Sequence, residues 1–252
     1  MTTPRRPTPR TLRVLGSETI TPNMLRVTLG DAGPDRFPRD QESAYIKLMF
    51  PETDSSPALM RTYTVRFQRD DAFDVDFVLH EDGGPAAQWA LNAKPGDEIL
   101  IGGPGPKKLV DPSADWFLLA GDMTALPALS VNLEQMPADA VGDAVIEILH
   151  ADDVQPLQHP PGVTLHWLVN PHPGEQPQLL ADHLATLPWR DGRPSIWAAC
   201  EFSGMRALRK FFREQRNVDR RALYISSYWK QGSTEDQHKV IKNDDARADE
   251  QA

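Results

Sequence analysis

A short stretch, residues 61–66 with the sequence RTYTVR, brings together guanidinium, phenol and hydroxyl groups at close spacing. Its β-branched and aromatic residues predict a strand. The Arg61 guanidinium can form two parallel hydrogen bonds to a phosphate, and the Tyr63 ring can lie against a flat aromatic system. A threonine hydroxyl, from Thr62 or Thr64, can hydrogen-bond a ring nitrogen. Together these groups suit a flavin nucleotide. Taken alone, the stretch is equally consistent with an ordinary sheet strand that has one exposed face.

A glycine-containing segment, residues 80–90, follows that strand and can bind a phosphate. Gly83 and Gly84 permit a tight backbone, and Pro85 fits the first position of a helix over residues 86–91. Free N–H groups at the start of a helix attract phosphate. A plain helix inserted between two strands is the alternative, with the glycines serving only the turn.

The N-terminal half of the chain has the pattern of a small antiparallel β-barrel, because short β-like segments follow one another closely. In residues 73–77 the apolar side chains Phe73, Val75 and Phe77 alternate with aspartates and share one face. The predicted strands are residues 11–18, 24–29, 44–50, 61–68, 73–77 and 98–101.

The C-terminal half has the pattern of an α/β nucleotide-binding domain. Residues 116–120 form a continuous apolar run, typical of a buried parallel strand, and a glycine turn at residues 121–125 leads into a helix over residues 126–136. The order β-α-β-β-α-β-α-β predicts a mostly parallel sheet with helices packed on it. The remaining predicted elements are strands at 144–149, 164–169, 195–200 and 222–229 and helices at 179–187 and 205–215.

These patterns predict a two-domain chain, with an antiparallel β-barrel followed by a Rossmann-like α/β domain. A mobile arm covers residues 1–10, the barrel residues 11–111, and the α/β domain residues 112–232. Residues 233–252 form a C-terminal helix and an acidic tail, and the tail is predicted to be disordered from Asp244 onward.

The composition restricts the function classes. The net charge of −9 disfavours general nucleic-acid binding. The single cysteine, Cys200, excludes an internal disulfide and an all-cysteine zinc or iron–sulfur site within one chain. The polar N-terminus lacks the apolar core of a secretory signal, and no apolar run approaches the length of a membrane span, so a cytoplasmic location is expected.

A barrel followed by a nucleotide-binding α/β domain is the layout of the ferredoxin–NADP reductase superfamily, and four motifs resemble one branch of it, the siderophore-interacting protein family. Residues 61–66 resemble the family's arginine-x-tyrosine-threonine-x-arginine motif, and residues 80–90 its segment with histidine, Gly-Pro-Ala and tryptophan. Residues 121–128 resemble its Gly-Asp-x-Thr-Ala-Leu-Pro-Ala turn, and residues 228–238 its terminal signature. Members of that family are flavin-dependent ferric-siderophore reductases.

The resemblance implies FAD as the cofactor and assigns roles around it. Arg61 binds flavin phosphate, and Tyr63 and Thr64 flank the isoalloxazine ring. Arg66 either binds the adenine nucleotide or only braces the strand, and His80 lies near the ring or is a strand-end histidine bonded to backbone. The full implied FAD set is Arg61, Thr62, Tyr63, Thr64, Arg66, His80, Pro85, Ala86, Ala87, Trp89, Asp122, Thr124 and Ala125.

Within that set, the N–H groups of Ala86 and Ala87 are implied to bind the pyrophosphate, and Asp122 and Thr124 to contact the adenosine. Two positions depart from the family pattern. Ala87 stands where serine is frequent, and Met123 where an acidic residue is common, so each removes one polar contact.

The implied substrate is an anionic ferric siderophore, which needs positive charge at the open face of the flavin. Lys47 matches a substrate-side lysine of the family, and Lys230 and Lys239 in the terminal signature complete a basic cluster. Each lysine could also be a solvated surface charge.

Outer-sphere electron transfer from flavin to iron requires no acid–base catalytic residue and no protein metal ligand. The donor is NADH, NADPH or a ferredoxin, and the chain is expected to act as a monomer. Glu201 and Ser203 are placed where a pyridine nucleotide could rest. A basic helix face either meets a 2′-phosphate or an acidic ferredoxin, or is merely solvated; its residues are Arg206, Arg209, Lys210 and Arg213. Two other functions remain open, a non-catalytic siderophore-binding protein and a general flavin or NAD(P)H oxidoreductase.

Overall fold

The computed structural model describes residues 8–31, 36–51, 58–80 and 83–250, with the side chain of Glu250 left aside. The chain forms two compact units, Met1–Lys108 and Leu109–Ala252. Most of the predicted mobile arm lies outside the described residues, as do residues 32–35, 52–57, 81–82 and 251–252. Within the described ranges, no helix combines the length and the apolar composition needed to cross a membrane.

The first unit is built on one antiparallel sheet, as its alternating sequence pattern predicts. The strand order is β4-β3-β6-β1-β2-β5, and every pair is antiparallel. One helix, α1 (Pro85–Asn92), is inserted between the fifth and sixth strands. The strands are β1 (Arg10–Thr21), β2 (Met24–Asp31), β3 (Tyr45–Phe50), β4 (Leu59–Thr64), β5 (Ala72–Val78) and β6 (Glu98–Gly102).

The two edges of this sheet are joined by the chain that follows β4, which makes the sheet barrel-like. The predicted strand over residues 61–68 is wrong at its C-terminal end, because β4 stops at Thr64. The next residues change partners: Val65 N donates to Ala44 O at 2.9 Å, whereas Arg66 N donates to Asp74 O at 2.8 Å. A segment that bonds to β5 in this way leaves the β3–β4 ladder and closes the gap between the sheet edges.

The core of the first unit lies on the inner face of the sheet. Phe73, Val75 and Phe77 are buried on one face of β5, which confirms the predicted alternation. The aspartates between them are also buried, because guanidinium groups cover the outer face. Asp76 accepts two hydrogen bonds from Arg26, at 2.7 and 2.8 Å, and Asp74 is paired with Arg69.

The second unit is a five-stranded parallel sheet with the order β11-β10-β7-β8-β9. Its strands are β7 (Trp116–Gly121), β8 (Val141–Ile148), β9 (Gly162–Val169), β10 (Pro194–Glu201) and β11 (Leu223–Trp229). Its helices are α2 (Leu126–Gln135), α3 (Leu179–Thr186), α4 (Phe202–Lys210) and α5 (Glu235–Glu250). The predicted alternation of strands and helices is confirmed. The strands β7, β8 and β9 follow one another to one side, whereas β10 and β11 are added on the other side of β7. The order thus reverses between β7 and β10, and such switch points bind ligands at the carboxyl ends of the strands.

The basic helix predicted over residues 205–215 begins earlier and ends differently. The α-helix α4 starts at Phe202, and a π-helical turn over Phe211–Gln215 follows it. The early start has a local cause, because the Glu201 carboxylate accepts hydrogen bonds from Ser203 N and Gly204 N and so caps the helix.

The disorder predicted from Asp244 to Ala252 is wrong as far as Glu250, because α5 runs to that residue. Two aspartates one turn apart, Asp245 and Asp249, face the basic residues of α4 and of the π-helical turn after it. Asp245 pairs with Arg209, and Asp249 pairs with Arg209 at 3.2 Å and with Arg213. These ion pairs stabilise a segment whose composition alone is too polar to fold.

Candidate cofactor and substrate site

The flavin-like motif divides its side chains between the two faces of β4. In the antiparallel pairing, Arg61 lies opposite Leu48 and Tyr63 opposite Ile46. Both aliphatic partners are fully buried, so Arg61 and Tyr63 are on the inner face of the sheet.

The other two motif residues are on the outer face of β4. Thr62 lies opposite Lys47, and Thr64 lies opposite Tyr45. The motif therefore presents its guanidinium and phenol on one side of the sheet and its two hydroxyls on the other.

An aromatic cluster on the inner side connects β4 to α1. The ring centroids of Tyr63 and Phe77 are 4.4 Å apart, and those of Phe77 and Trp89 are 5.8 Å apart. Phe50 adds an edge-to-face contact to Trp89 at 6.1 Å. Trp89, which the resemblance places in the cofactor segment, thus packs on the same aromatic wall as Tyr63. Sequence reasoning did not assign Phe50 or Phe77 to this wall, although the alternation in β5 already placed Phe77 on the buried face.

The start of α1 has the local geometry expected of a phosphate site. Pro85 occupies the first turn, and no side chain among the described residues caps the helix at Gly84. A Cβ built on Gly84 would meet no described atom within 4 Å, so space is open beside the helix start. Gly84 and Pro85 are exposed, whereas Ala86 and Ala87 are buried, so the accessible part of this helix start is its first residues.

These features together fit a dinucleotide such as FAD. A guanidinium and a phenol lie on one face of a strand, and an uncapped helix start with free space supplies backbone donors. Phe77 is fully buried, so the half-buried rings of Tyr63 and Trp89 are the parts of this wall on which a flat ring system can pack.

The two remaining motif residues of the first unit are placed differently. Arg66 is only 6% exposed, and its guanidinium lies 3.8 Å from the centroid of the Phe67 ring, an arrangement that matches the strand-bracing alternative. His80 is exposed beyond the end of β5, and its carbonyl oxygen accepts a hydrogen bond from Gly83 N at 2.9 Å.

In the second unit, Asp122 ties together the carboxyl ends of three strands. Its Oδ2 atom accepts hydrogen bonds from Glu201 N at 2.9 Å and from Trp229 Nε1 at 2.8 Å. Its Oδ1 atom accepts from Thr124 N and the Thr124 hydroxyl, and from Ala125 N at 3.3 Å. Burial raises the pKa of this carboxyl above its ordinary value. Both carboxylate oxygens are thus bonded within the protein, and the predicted adenosine contact stays a prediction.

The turn that carries Asp122 depends on the glycine before it. A Cβ on Gly121 would lie 2.8 Å from Ala199 O and 3.0 Å from the Cβ of Ala125. The close approach of β10 and α2 to this backbone therefore explains why glycine is needed here.

A second acidic group, Glu201, fills the start of α4. Besides capping the helix, its Oε1 atom accepts a hydrogen bond from Gln231 N at 3.2 Å. Glu147, at the carboxyl end of β8, is a third acid at the same edge and bonds to Asn170 Nδ2 at 2.8 Å. Burial, with the charges of Asp122 and Glu201 nearby, raises the pKa of Glu147 to about 7. The switch-point edge is thus acidic, a feature that sequence reasoning missed because these residues are far apart along the chain.

The three predicted substrate lysines are distributed over both units. Lys47 is half-buried on the outer face of β3. The Lys230 ammonium lies 5.1 Å from the centroid of the Phe202 ring, and Lys239 is exposed on α5. The predicted basic cluster stays a prediction.

The basic face of α4 is partly covered by α5, which supplies counter-ions, although 66% of the Arg206 side chain stays exposed. The carboxylates of Asp245 and Asp249 pair with Arg206, Arg209 and Arg213. Among the helix residues predicted to meet a 2′-phosphate or a ferredoxin, Lys210 is exposed. In the part of the chain that the structure describes, no group of three or more histidine, cysteine, aspartate or glutamate residues could hold a metal ion.

Comparison with known families gives matches in both units. A family described as siderophore-interacting protein matches residues 114–232, and one described as siderophore-interacting FAD-binding domain matches residues 13–59 and 53–108. The FAD-binding family thus covers the barrel unit, including the helix start and most of the strands described above.

Individual proteins match over nearly the whole chain. The ferric vibriobactin reductase ViuB of Vibrio cholerae is 35% identical over 250 residues, which cover 90% of this chain and 92% of that protein. The crystal structure of the siderophore-interacting protein SipS from Aeromonas hydrophila has a TM-score of 0.83 at 34% identity and covers 95% of this chain and 98% of SipS. The siderophore-interacting protein from Acinetobacter baumannii has a TM-score of 0.84 at 26% identity, with 97% of this chain and 100% of that chain covered.

Proposed function

Because this chain belongs to the siderophore-interacting protein family, we propose that it is an FAD-dependent ferric-siderophore reductase. The observation that carries the proposal is the joint placement of Arg61, Tyr63 and the uncapped start of α1 in a unit that matches the family's FAD-binding domain. The 35% identity to a ferric vibriobactin reductase over 92% of that protein supports the choice of reaction.

We propose specific residues of this chain as the FAD site. Arg61 binds phosphate, the N–H groups of Ala86 and Ala87 bind the pyrophosphate, and Tyr63 lies against the flavin ring. Thr64 is placed at the edge of the ring. When bound, FAD accepts electrons from the donor and passes them on singly, a chemistry that no side chain of this protein can supply.

The iron of the chelate is the substrate. Fe(III) accepts one electron and becomes Fe(II), a less charged ion that hard oxygen ligands hold less tightly, so the iron is released. The protein contributes position and charge: Lys47, with Lys230 and Lys239, is proposed to attract an anionic chelate. No side chain has to gain or lose a proton in this step.

The electron donor is NADH, NADPH or a ferredoxin. The acidic residues at the carboxyl ends of β7, β8 and β10 affect where a pyridine nucleotide can bind. Glu201 already occupies the helix start at which a nucleotide pyrophosphate would otherwise bind, and Glu147 and Asp122 lie nearby. A pyridine nucleotide is therefore expected to bind away from the start of α4. We further propose that the protein acts as a monomer in the cytoplasm, where reduced pyridine nucleotides and ferredoxins are available.

The test is an anaerobic assay with three donors. The FAD-loaded protein is mixed with NADH, NADPH or reduced ferredoxin, and Fe(II) released from a panel of ferric catecholates and hydroxamates is trapped by a coloured chelator. Donor-dependent Fe(II) release supports the reductase. Chelate binding without turnover would instead identify a binding protein, and rapid dye reduction with no response to ferric chelates would identify a general flavin oxidoreductase.

A further inference from the structure

The outer face of the β3–β4 pair carries a row of side chains that the FAD site does not use. Tyr45, Lys47 and Met49 alternate along β3 on this face. Met49 lies opposite Met60, and Tyr45 lies opposite Thr64 of the flavin motif. The Tyr45 phenol is therefore on the strand next to the flavin motif and on the same face as the Thr64 hydroxyl.

The Tyr45 ring is held in place by a glycine. A Cβ built on Gly105 would lie 2.0 Å from Cζ of Tyr45 and 2.2 Å from its Cε1 atom. Gly105 N also donates a hydrogen bond to Tyr45 O at 2.8 Å. The glycine backbone therefore packs directly against the ring, at a separation that no larger residue permits.

Although it is held in this way, Tyr45 keeps 40% of its surface exposed. Large aromatic side chains are usually buried, so an exposed ring that is also packed against a glycine turn is suited to contact a ligand. A ring that is already in position loses little conformational entropy on binding.

Three lysines lie near Tyr45, either on the same strand face or in the loop that contains Gly105. Lys47 lies two residues away on the same face, and Lys107 and Lys108 follow Gly105 in the same loop. An aromatic ring beside ammonium groups favours a ligand that is both planar and anionic. The catecholate arms of a siderophore have both properties, whereas hydroxamate arms are largely aliphatic and gain little from stacking.

We propose that Tyr45, positioned by Gly105, is a specificity-determining residue that favours ferric chelates with catecholate arms over those with hydroxamate arms. This inference rests on the proposed reductase function, because it assumes that Lys47 and Tyr45 face the substrate of that reaction. Neither residue is required for electron transfer itself, so the selectivity is expected in chelate binding rather than in the maximal rate.

Gallium(III) complexes test the inference apart from turnover, because gallium is not reduced. The FAD-loaded wild type, Tyr45→Leu and Tyr45→Phe proteins are titrated with gallium tris(2,3-dihydroxybenzoate) and with a gallium trihydroxamate, and intrinsic fluorescence gives each Kd. Tyr45→Leu is expected to weaken catecholate binding roughly 3- to 10-fold and to change hydroxamate binding by less than about 2-fold. Tyr45→Phe, which keeps the ring, is expected to bind both complexes as the wild type does.

Two separate glycine-to-alanine substitutions, one at Gly105 and one at Gly16, supply an independent test and its matched control. Gly105→Ala forces the Tyr45 ring to move and is expected to reproduce the selective loss, whereas Gly16→Ala, whose added Cβ meets no described atom within 4 Å, is expected to change nothing. Circular dichroism and FAD retention show whether each variant is folded.

Equal weakening of both gallium complexes by Tyr45→Leu, or no weakening of either, overturns the inference. If the variants lose selectivity as expected but the wild type reduces no ferric chelate with any donor, the proposed function fails instead. The two failures are therefore distinguishable.

Discussion

At the scale of single residues, the four side chains from Arg61 to Thr64 serve two faces of one strand. Arg61 and Tyr63 lie on the inner face with the aromatic wall, and Thr62 and Thr64 lie on the outer face. Strand alternation predicts this division from sequence. It does not predict which face is inner, because that depends on the register with β3, where Ile46 and Leu48 are the buried residues.

Arg61→Ala is expected to weaken FAD binding roughly 10- to 100-fold, because it removes a charge-assisted hydrogen bond to phosphate. Equilibrium titration of the apoprotein with FAD measures the change, and Arg61→Lys is expected to recover only part of it. Arg13→Ala is the matched control, since Arg13 is in an exposed ion pair with Glu98 at 3.1 Å on the same unit. Equal Kd values for Arg61→Ala and Arg13→Ala would remove Arg61 from the site.

Asp122 shows where residue-level prediction reaches its limit. The sequence places it in the turn after a buried strand, which is correct. Its hydrogen-bond partners Glu201 and Trp229 are 79 and 107 residues away, so only the fold shows that its carboxylate joins strand ends. The motif aspartate therefore has a role in joining strand ends that its place in the sequence does not reveal.

Glu147→Gln is expected to raise thermal stability at pH 8 and to leave it nearly unchanged at pH 5. The folded state raises the pKa of Glu147 from 4.5 to about 7, so between these values the folded protein binds more protons than the unfolded chain. Stability therefore falls as pH rises through this window, by up to about 3 kcal/mol, and the glutamine removes that loss.

Thermal unfolding scans at the two pH values measure this effect. Glu175→Gln, at an exposed position, serves as the control and is expected to be neutral at both. If the thermal unfolding midpoint of Glu147→Gln rises equally at pH 5 and pH 8, the fall of stability with pH does not come from ionisation of Glu147.

At the scale of elements, α5 is the clearest departure from what composition predicts. The polar, acidic residues of the C-terminus indicate disorder, and no apolar stripe opposes that interpretation. The helix forms because Asp245 and Asp249 are one turn apart and meet a row of arginines, and because His238 is buried against Ser227. Sequence reasoning had found the basic helix face and the acidic tail separately, but their pairing requires the tertiary structure.

The double substitution Asp245→Asn and Asp249→Asn is expected to lower the Tm by roughly 3 to 8 °C, because it leaves partly buried guanidinium groups without counter-ions. Asp244→Asn is the matched control: this residue is exposed and pairs only loosely with Arg247, at 3.7 Å. Differential scanning calorimetry measures each Tm. Equal Tm values for the double variant and the control would show that the ion pairs do not stabilise α5.

At the scale of the whole molecule, the order of elements is the part that sequence predicts best. Alternating strands in the first half and buried strands with intervening helices in the second half lead directly to an antiparallel barrel and a parallel sheet. The residues that close the barrel could not be predicted, because residues 66–68 leave the ladder with β3 and bond to β5 only in the folded chain. The acidic switch-point edge was missed for the same reason, since it assembles from the ends of separate strands.

The central claim is that this chain holds FAD and delivers its electrons to ferric chelates. The most direct measurement is an anaerobic titration of the FAD-loaded protein, first with a donor and then with a ferric siderophore, while visible flavin absorbance and Fe(II) are followed together. The account predicts that absorbance bleaches with the donor and recovers on addition of the chelate, in proportion to the Fe(II) formed. A purified chain that binds no FAD when FAD is in excess, or a bleached protein that the chelate reoxidises no faster than free reduced FAD, would contradict it.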